Sequence, residues 1–153
     1  MLRLSKMTDY AVVVLVQLAE GHMQTSPAIA AETGIPEPTV AKVLKALAGH
    51  GLVASVRGAR GGYRLLRPLD AVPVADVIAA IDGPIALTAC VEGSTMECGS
   101  SGLCPMRGRW GPVNAAITAA LSAITLADMR VPSRPNVHPL SRGAALRSLP
   151  VTE

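Results

Sequence analysis

At 153 residues the chain has room for one domain, or one small domain with an extension. Half of the residues are hydrophobic but only 2% are aromatic, with no Phe, so a core must be built from Val, Leu, Ile and Ala. The longest unbroken apolar run, Ala11 to Val16, is far too short to cross a bilayer, and a net charge of +3 is alone a weak sign of an acidic partner.

The first expected element is a helix in KMTDYAVVVLVQLAEG. Tyr10, Val13, Val14, Gln17 and Leu18 follow helical spacing, and Gly21 supplies a stop. The β-branched run Val12–Val14 favours a strand, but the Thr8-Asp9 start and the length favour a helix. In TSPAIAAETGIPEPTVAKVLKALAGHGL, Ser26 can cap a helix whose first residue is Pro27 and which ends at Gly34. A tight turn leads to a second helix from about Pro38 to Ala48. Its apolar face is Val40, Val43, Leu44 and Leu47, and its other face shows Thr39, Lys42 and Lys45. Two short helices joined in this way form a helix-turn-helix, with a plain helical hairpin as the alternative.

LVASVRGARGGYRLLR alternates around Leu52, Val53 and Val56, breaks at RGARGG, and resumes with Tyr63, Leu65 and Leu66. This predicts a β-hairpin placed as the wing of a winged helix, with a solvated basic hairpin as the alternative. Arg57, Arg60 and Arg64 suit the negative potential of a narrow minor groove, and the glycines allow close approach to a phosphate. PVADVIAAIDG predicts a short helix with Val74, Val77, Ile78 and Ile81 inward, ended by Pro84. From about Pro105 a long helix is expected. Trp110, Val113, Ile117, Ala120, Ile124 and Ala127 recur at three- and four-residue steps along it, a coiled-coil-like seam. Such a helix implies a homodimer, unless it packs back on its own domain. From Arg130 onward the chain is proline-rich and aperiodic and is expected to be a disordered tail.

Charge is unevenly placed. Up to Asp70 there are eight Lys and Arg against five Asp and Glu; Ala71–Met129 has two against five; Arg130–Glu153 has four against one. A basic front fits nucleic acid. No charged start, apolar stretch and small-residue cleavage site occur in order, so the expected location is the cytoplasm. Cys90, Cys98 and Cys104, spaced Cys-x7-Cys-x5-Cys, lie among Gly, Ser, Thr and Glu, which cannot bury them. In a reducing compartment, three clustered thiols point to metal ligation or redox chemistry rather than to a closed disulfide set.

The start LRLSKMTDYAVVVL, the wing GLVASVRGARGGYRL, the helix VADVIAAIDG and three cysteines ending at CPMRGRW together resemble the IscR-type family of winged-helix regulators, over roughly Met1–Met129. The nearest branch is that of the regulators of SUF iron–sulfur assembly operons, with nitric-oxide- and iron-sensing branches close by. The resemblance implies a mainly α fold with a small β-hairpin wing: a winged helix-turn-helix over 1–70, a cysteine loop and long dimerisation helix over 71–129, and a tail over 130–153. It implies no enzyme but a cytoplasmic homodimer that binds double-stranded operator DNA and represses an iron–sulfur assembly or iron-homeostasis operon. A nitric-oxide- or redox-sensing repressor and a zinc-stabilised constitutive DNA-binding protein are the alternatives.

By position, Thr39, Lys42 and Arg57 match DNA contacts of the family; Lys45, Arg60, Gly61, Gly62 and Tyr63 complete the candidate interface. The resemblance assigns Cys90, Cys98 and Cys104 to an iron–sulfur cluster, with 4Fe-4S favoured over 2Fe-2S. IscR-like members place a histidine ligand three residues after the last cysteine. Here that residue is Arg107, which stays protonated and cannot ligate. The nitric-oxide branch uses an aspartate at the start of the first helix, and Asp9 stands there, although an acidic residue in a first turn also suits the helix dipole. Glu92 and Glu97 are weaker candidates. Ala41 stands where IscR has a base-discriminating glutamate, and Pro36 and Pro38 replace serines, so a different operator is expected.

Overall fold

The computed structural model describes residues 3–99 and 102–130. The chain forms α1 (Lys6–Leu18), α2 (Ser26–Thr33), α3 (Glu37–Gly49), β1 (Val53–Val56), β2 (Gly62–Leu65), a 3-10 turn (Leu69–Ala71), α4 (Val74–Asp82), α5 (Gly111–Ala123) and α6 (Leu126–Met129). The expected tail lies outside the described residues apart from Arg130.

Helix α1 starts at Lys6, two residues before the expected Thr8-Asp9 site. Ser5 is its cap, and the Ser5 Oγ accepts from the Thr8 N–H at 3.1 Å. Its buried face is Ala11, Val14, Leu15 and Leu18, while Val13 faces outward. Burial of one stripe outweighs the strand preference of the valine run. Thr25, not Ser26, caps α2, and Gly34 ends it at φ 71, a left-handed turn that glycine adopts without strain. Helix α3 buries Val40, Val43, Leu44 and Leu47 as the spacing predicts.

The two strands pair antiparallel, Val53 opposite Leu65 and Val56 opposite Gly62. A further rung joins the tip half of β2 to the α1–α2 connection: Tyr63 N–H donates to Gln24 O at 2.7 Å, and Gln24 N–H donates to Tyr63 O at 3.0 Å. Glycine is required at this rung. A Cβ on Gly62 would meet Gln24 O at 2.7 Å, and one on Gly61 would meet Val56 O at 2.4 Å. Helix α4 buries Val74, Val77 and Ile78 in the same core as α1 and α3, with Ile81 half-buried at its edge. The buried Thr8 hydroxyl donates to Asp82 Oδ2 at 2.7 Å and ties the start of α1 to the end of α4.

The expected helix from Pro105 through Ala127 is shorter and broken. Residues 105–110 form turns, α5 begins at Gly111, and the chain turns extended at Ile124. Thr125 and Asp128 then make a reciprocal capping box that opens α6. This break lets the fully buried Leu126 join Leu69, Val72 and Val74 in the core. Leu126 N–H donates to Val72 O at 3.0 Å, and Val74 N–H donates to Ile124 O at 2.9 Å. The seam therefore splits. Ile117 and Leu121 line an apolar cavity of about 410 Å³ with Ile78, Ile85 and Leu87, while Trp110, Val113, Ala120 and Ile124 stay exposed.

Candidate nucleic-acid interface and cysteine loop

Packing dictates what α3 shows outward. With Val40, Val43, Leu44 and Leu47 inside, Lys42 and Lys45 fall on the exposed side and Thr39 at its half-buried margin. Pro36 opens the helix without a side-chain cap, and Glu37 occupies its first turn. The wing emerges just after α3. Its tip, Arg57–Gly61, carries the exposed Arg57 and Arg60, and Arg64 lies exposed on β2. Gly61 closes the tip by donating its N–H to Gly58 O at 2.9 Å. Tyr63 differs from the other candidates: its ring packs against the core, so it anchors the wing rather than extending from it. Gly62 shares that anchoring role through its contact with Gln24. The result is a cationic helix face beside a cationic hairpin tip, which suits a major groove and an adjacent backbone or minor groove.

The cysteine loop runs from the end of α4 to the start of α5. All three thiols are free and half-buried. Cys90 and Cys98 line one cavity of about 420 Å³ with Glu92, Met96, Glu97 and Arg107; Cys104 does not line it. Among the described residues no three Cys, His, Asp or Glu side chains converge to hold a metal ion. The Cys90 thiol is held below its ordinary range by the Thr88 hydroxyl, 3.3 Å away, and further by the Gly108 N–H and the Arg107 charge. The donor set nevertheless suits an iron–sulfur cluster: soft sulfurs, one of them biased toward thiolate, on a Gly/Ser-rich loop.

Asp9 sits exposed in the first turn of α1. It lines a cavity with Arg3, Lys6, Val74 and Met129 that shares no residue with the one around Cys90 and Cys98. The fold of one chain thus brings Asp9 beside its own Lys6, not beside the thiols. One residue that holds the cysteine loop carried no clear signal in the sequence. Asn114 on α5 accepts from the Leu87 N–H and donates to Ile85 O, both at 2.9 Å, and so fastens the start of the cysteine loop. A lone amide in a helix of otherwise small and apolar residues was its only mark.

The Rrf2 family profile, described as an iron-dependent transcriptional regulator, matches residues 4–131. The chain is similar to the transcriptional regulator IscR of Vibrio cholerae, with 33% identity over 84% of this chain and 75% of that one. It is also similar to the solved structure of CymR, the global cysteine regulator of B. subtilis, at 29% identity and a TM-score of 0.63, over 84% of this chain and 96% of that one. The structure of T. potens IscR matches at 31% identity with a TM-score of 0.59, over 84% and 85% of the two chains.

Proposed function

The chain belongs to the Rrf2 family of DNA-binding transcriptional regulators, and from that premise we propose that it is a homodimeric repressor whose DNA binding is set by an iron–sulfur cluster on the Cys90–Cys104 loop. The observation that carries this reading is the cavity shared by Cys90 and Cys98, in a loop strung between the winged-helix core and α5. Cys90, Cys98 and Cys104 would hold the cluster, which supplies iron whose ligation responds to iron supply, oxygen or nitric oxide. A fourth ligand is Asp9 of the partner subunit. Asp9 is exposed, and within one chain it lies in a different cavity from the thiols. As a harder donor than thiolate, a carboxylate there would be the weak point of the site.

Support for the dimer comes from α5. Its 13 residues include no charged side chain and none is buried, and Trp110, Val113, Ala116, Ala120 and Ile124 leave an apolar stripe in solvent. A second copy of the same stripe covers it. The reader is the surface of Thr39, Lys42, Lys45, Arg57 and Arg60, with residues 1–70 as reading head and 71–129 as sensor and dimer contact. Since the loop joins α4 at one end and α5 at the other, a change in its conformation shifts the two heads relative to each other. A coupling of about 1–3 kcal/mol would suffice to switch an operator. A thiol-redox repressor without a cluster is the second reading, favoured by the position of Cys104 outside the shared cavity.

Anaerobic purification followed by iron, acid-labile sulfide and visible-spectrum analysis tests the main reading. Single Cys90→Ala, Cys98→Ala and Cys104→Ala variants should remain folded dimers without iron. A variant that keeps its full iron and sulfide takes that residue out of the ligand set, and an iron-free wild type overturns the cluster. At the reader, Arg57→Ala should weaken operator binding by about 1–3 kcal/mol at fixed salt. Unchanged affinity would remove the wing tip from the interface.

A further inference from the structure

We infer that Asn114 is a positioning residue for the cysteine loop: its side-chain amide holds residues 85–87 against α5 and so sets where Cys90 stands relative to that helix. The inference rests on the reading of this loop as the sensor. After Gly83 ends α4, the chain passes through 84–90 without helix or strand. Ile85 and Leu87 are half-buried, and their backbone groups need partners away from water. Asn114 supplies both. Its Oδ1 accepts from Leu87 N–H and its Nδ2 donates to Ile85 O, each at 2.9 Å, as a neighbouring strand would. The other α5 side chains are Pro, Val, Ala, Ile, Thr, Leu and Ser. None carries a donor and an acceptor on two separate atoms. Asn is also a poorer helix former than Ala, so helix propensity does not explain its place in α5.

The clamp acts at short range. Cys90 lies three residues beyond Leu87, and the intervening Thr88 hydroxyl is 3.3 Å from its sulfur. Val91, next in line, is buried, and with Glu92 it lines a cleft along α5 that includes Asn114 and Thr118. The same helix presents its apolar stripe outward. Asn114 therefore joins the thiol-bearing segment to the helix that carries the proposed dimer contact.

The test uses full-length dimer carrying Asn114→Ala or Asn114→Asp. Asp keeps the acceptor for Leu87 N–H and loses the donor to Ile85 O. In reduced, cluster-free protein, iodoacetamide alkylation is followed by peptide mass spectrometry, with Cys104 in the same molecule as reference. The expected result is a several-fold change in the Cys90 rate relative to Cys104 in both variants, since Asp sets an acceptor oxygen against Ile85 O, and faster hydrogen exchange of the Leu87 amide in Ala than in wild type. Dimer mass stays that of wild type, and the variants unfold in one cooperative transition, lowered by the few degrees that the lost bonds to Ile85 and Leu87 account for. In anaerobically loaded protein, a chelator should strip iron about tenfold faster from the Ala variant. A Cys90 to Cys104 ratio and a Leu87 exchange rate equal to wild type overturn the role, whatever the iron content. Should the Ala variant fail to form a dimer, the Asp variant decides by the same two readouts. An iron-free wild type would instead overturn the cluster and leave the alkylation arm to judge Asn114.

Discussion

Leu126→Ala is expected to destabilise the protein by about 2–5 kcal/mol, the cost of a large-to-small change at a sealed core position. Leu126 has no solvent exposure and is the one buried residue of α6; Ala127, Asp128 and Met129 are all exposed. Its neighbours in the core belong to the segment between the wing and α4, where Leu69 and Val72 are buried. The backbone bonds between Leu126 and Val72 and between Val74 and Ile124 hold it there. The exposed ion pair of Arg130 with Glu20, at 2.8 Å, adds about 0–1 kcal/mol and cannot replace it. Urea unfolding of wild type and variant at one protein concentration measures the difference, since the proposed dimerisation would make stability concentration-dependent. A loss below about 1 kcal/mol would show that the site relaxes around the missing atoms, or that α6 does not dock as described.

Gly62→Ala is expected to weaken operator binding by about 2–4 kcal/mol while leaving the helices intact, because it displaces a tip whose two arginines, as proposed DNA contacts, would each contribute about 1–3 kcal/mol. The added Cβ would lie 2.7 Å from Gln24 O, 2.9 Å from Met23 Cγ and 3.0 Å from Gln24 C. Two of those atoms are backbone, so β2 must leave the Gln24 rung rather than wait for a side chain to move. Gln24 is itself buried and bonded through Nε2 to Gln17 O at 3.2 Å, so it cannot retreat. Fluorescence anisotropy on labelled operator at fixed salt gives the affinity, and circular dichroism gives the helix content. Gly49→Ala is the control, since a Cβ there meets nothing within 4 Å. An affinity within twofold of wild type for Gly62→Ala would show that wing position does not govern binding.

The reading head was legible because two independent signals agree there. Val40, Val43, Leu44 and Leu47 recur with helical period, and the hairpin after them is marked by a glycine-rich tip between alternating strands. Cap positions were not legible to the residue. Ser5, Thr8, Thr25 and Ser26 are all competent caps, and only the path of the chain selects Ser5 and Thr25. The break after α5 was hidden for another reason. Apolar residues continue across Ile124 and Leu126, so periodicity runs through a point where the capping pair Thr125 and Asp128 restarts the helix. In α1, Val13 follows the same spacing as Val14, and only packing against α3 and α4 puts Ala11 and Leu15 inside instead. At the candidate sensor the three thiols stand out by type, whereas their separation into a shared cavity and an outlying Cys104 depends on loop path. Asn114 acts on backbone groups 27 and 29 residues away, a distance at which no local pattern operates.

The return of the chain to the core at Leu126 also bears on how this protein could have diversified. The segment between α4 and Leu126, the proposed sensor, has both ends fixed in the winged-helix core, and Ile85 and Leu121 within it pack against that core. For a flexible loop between such anchors, doubling the length costs only about 0.6 kcal/mol in closure entropy. Insertions and deletions between the thiols are therefore nearly neutral for folding, provided Asn114 and Leu126 keep their partners. In the proposed sensor the spacing of the thiols can drift, and with it the signal it would detect, while the winged helix is inherited unchanged.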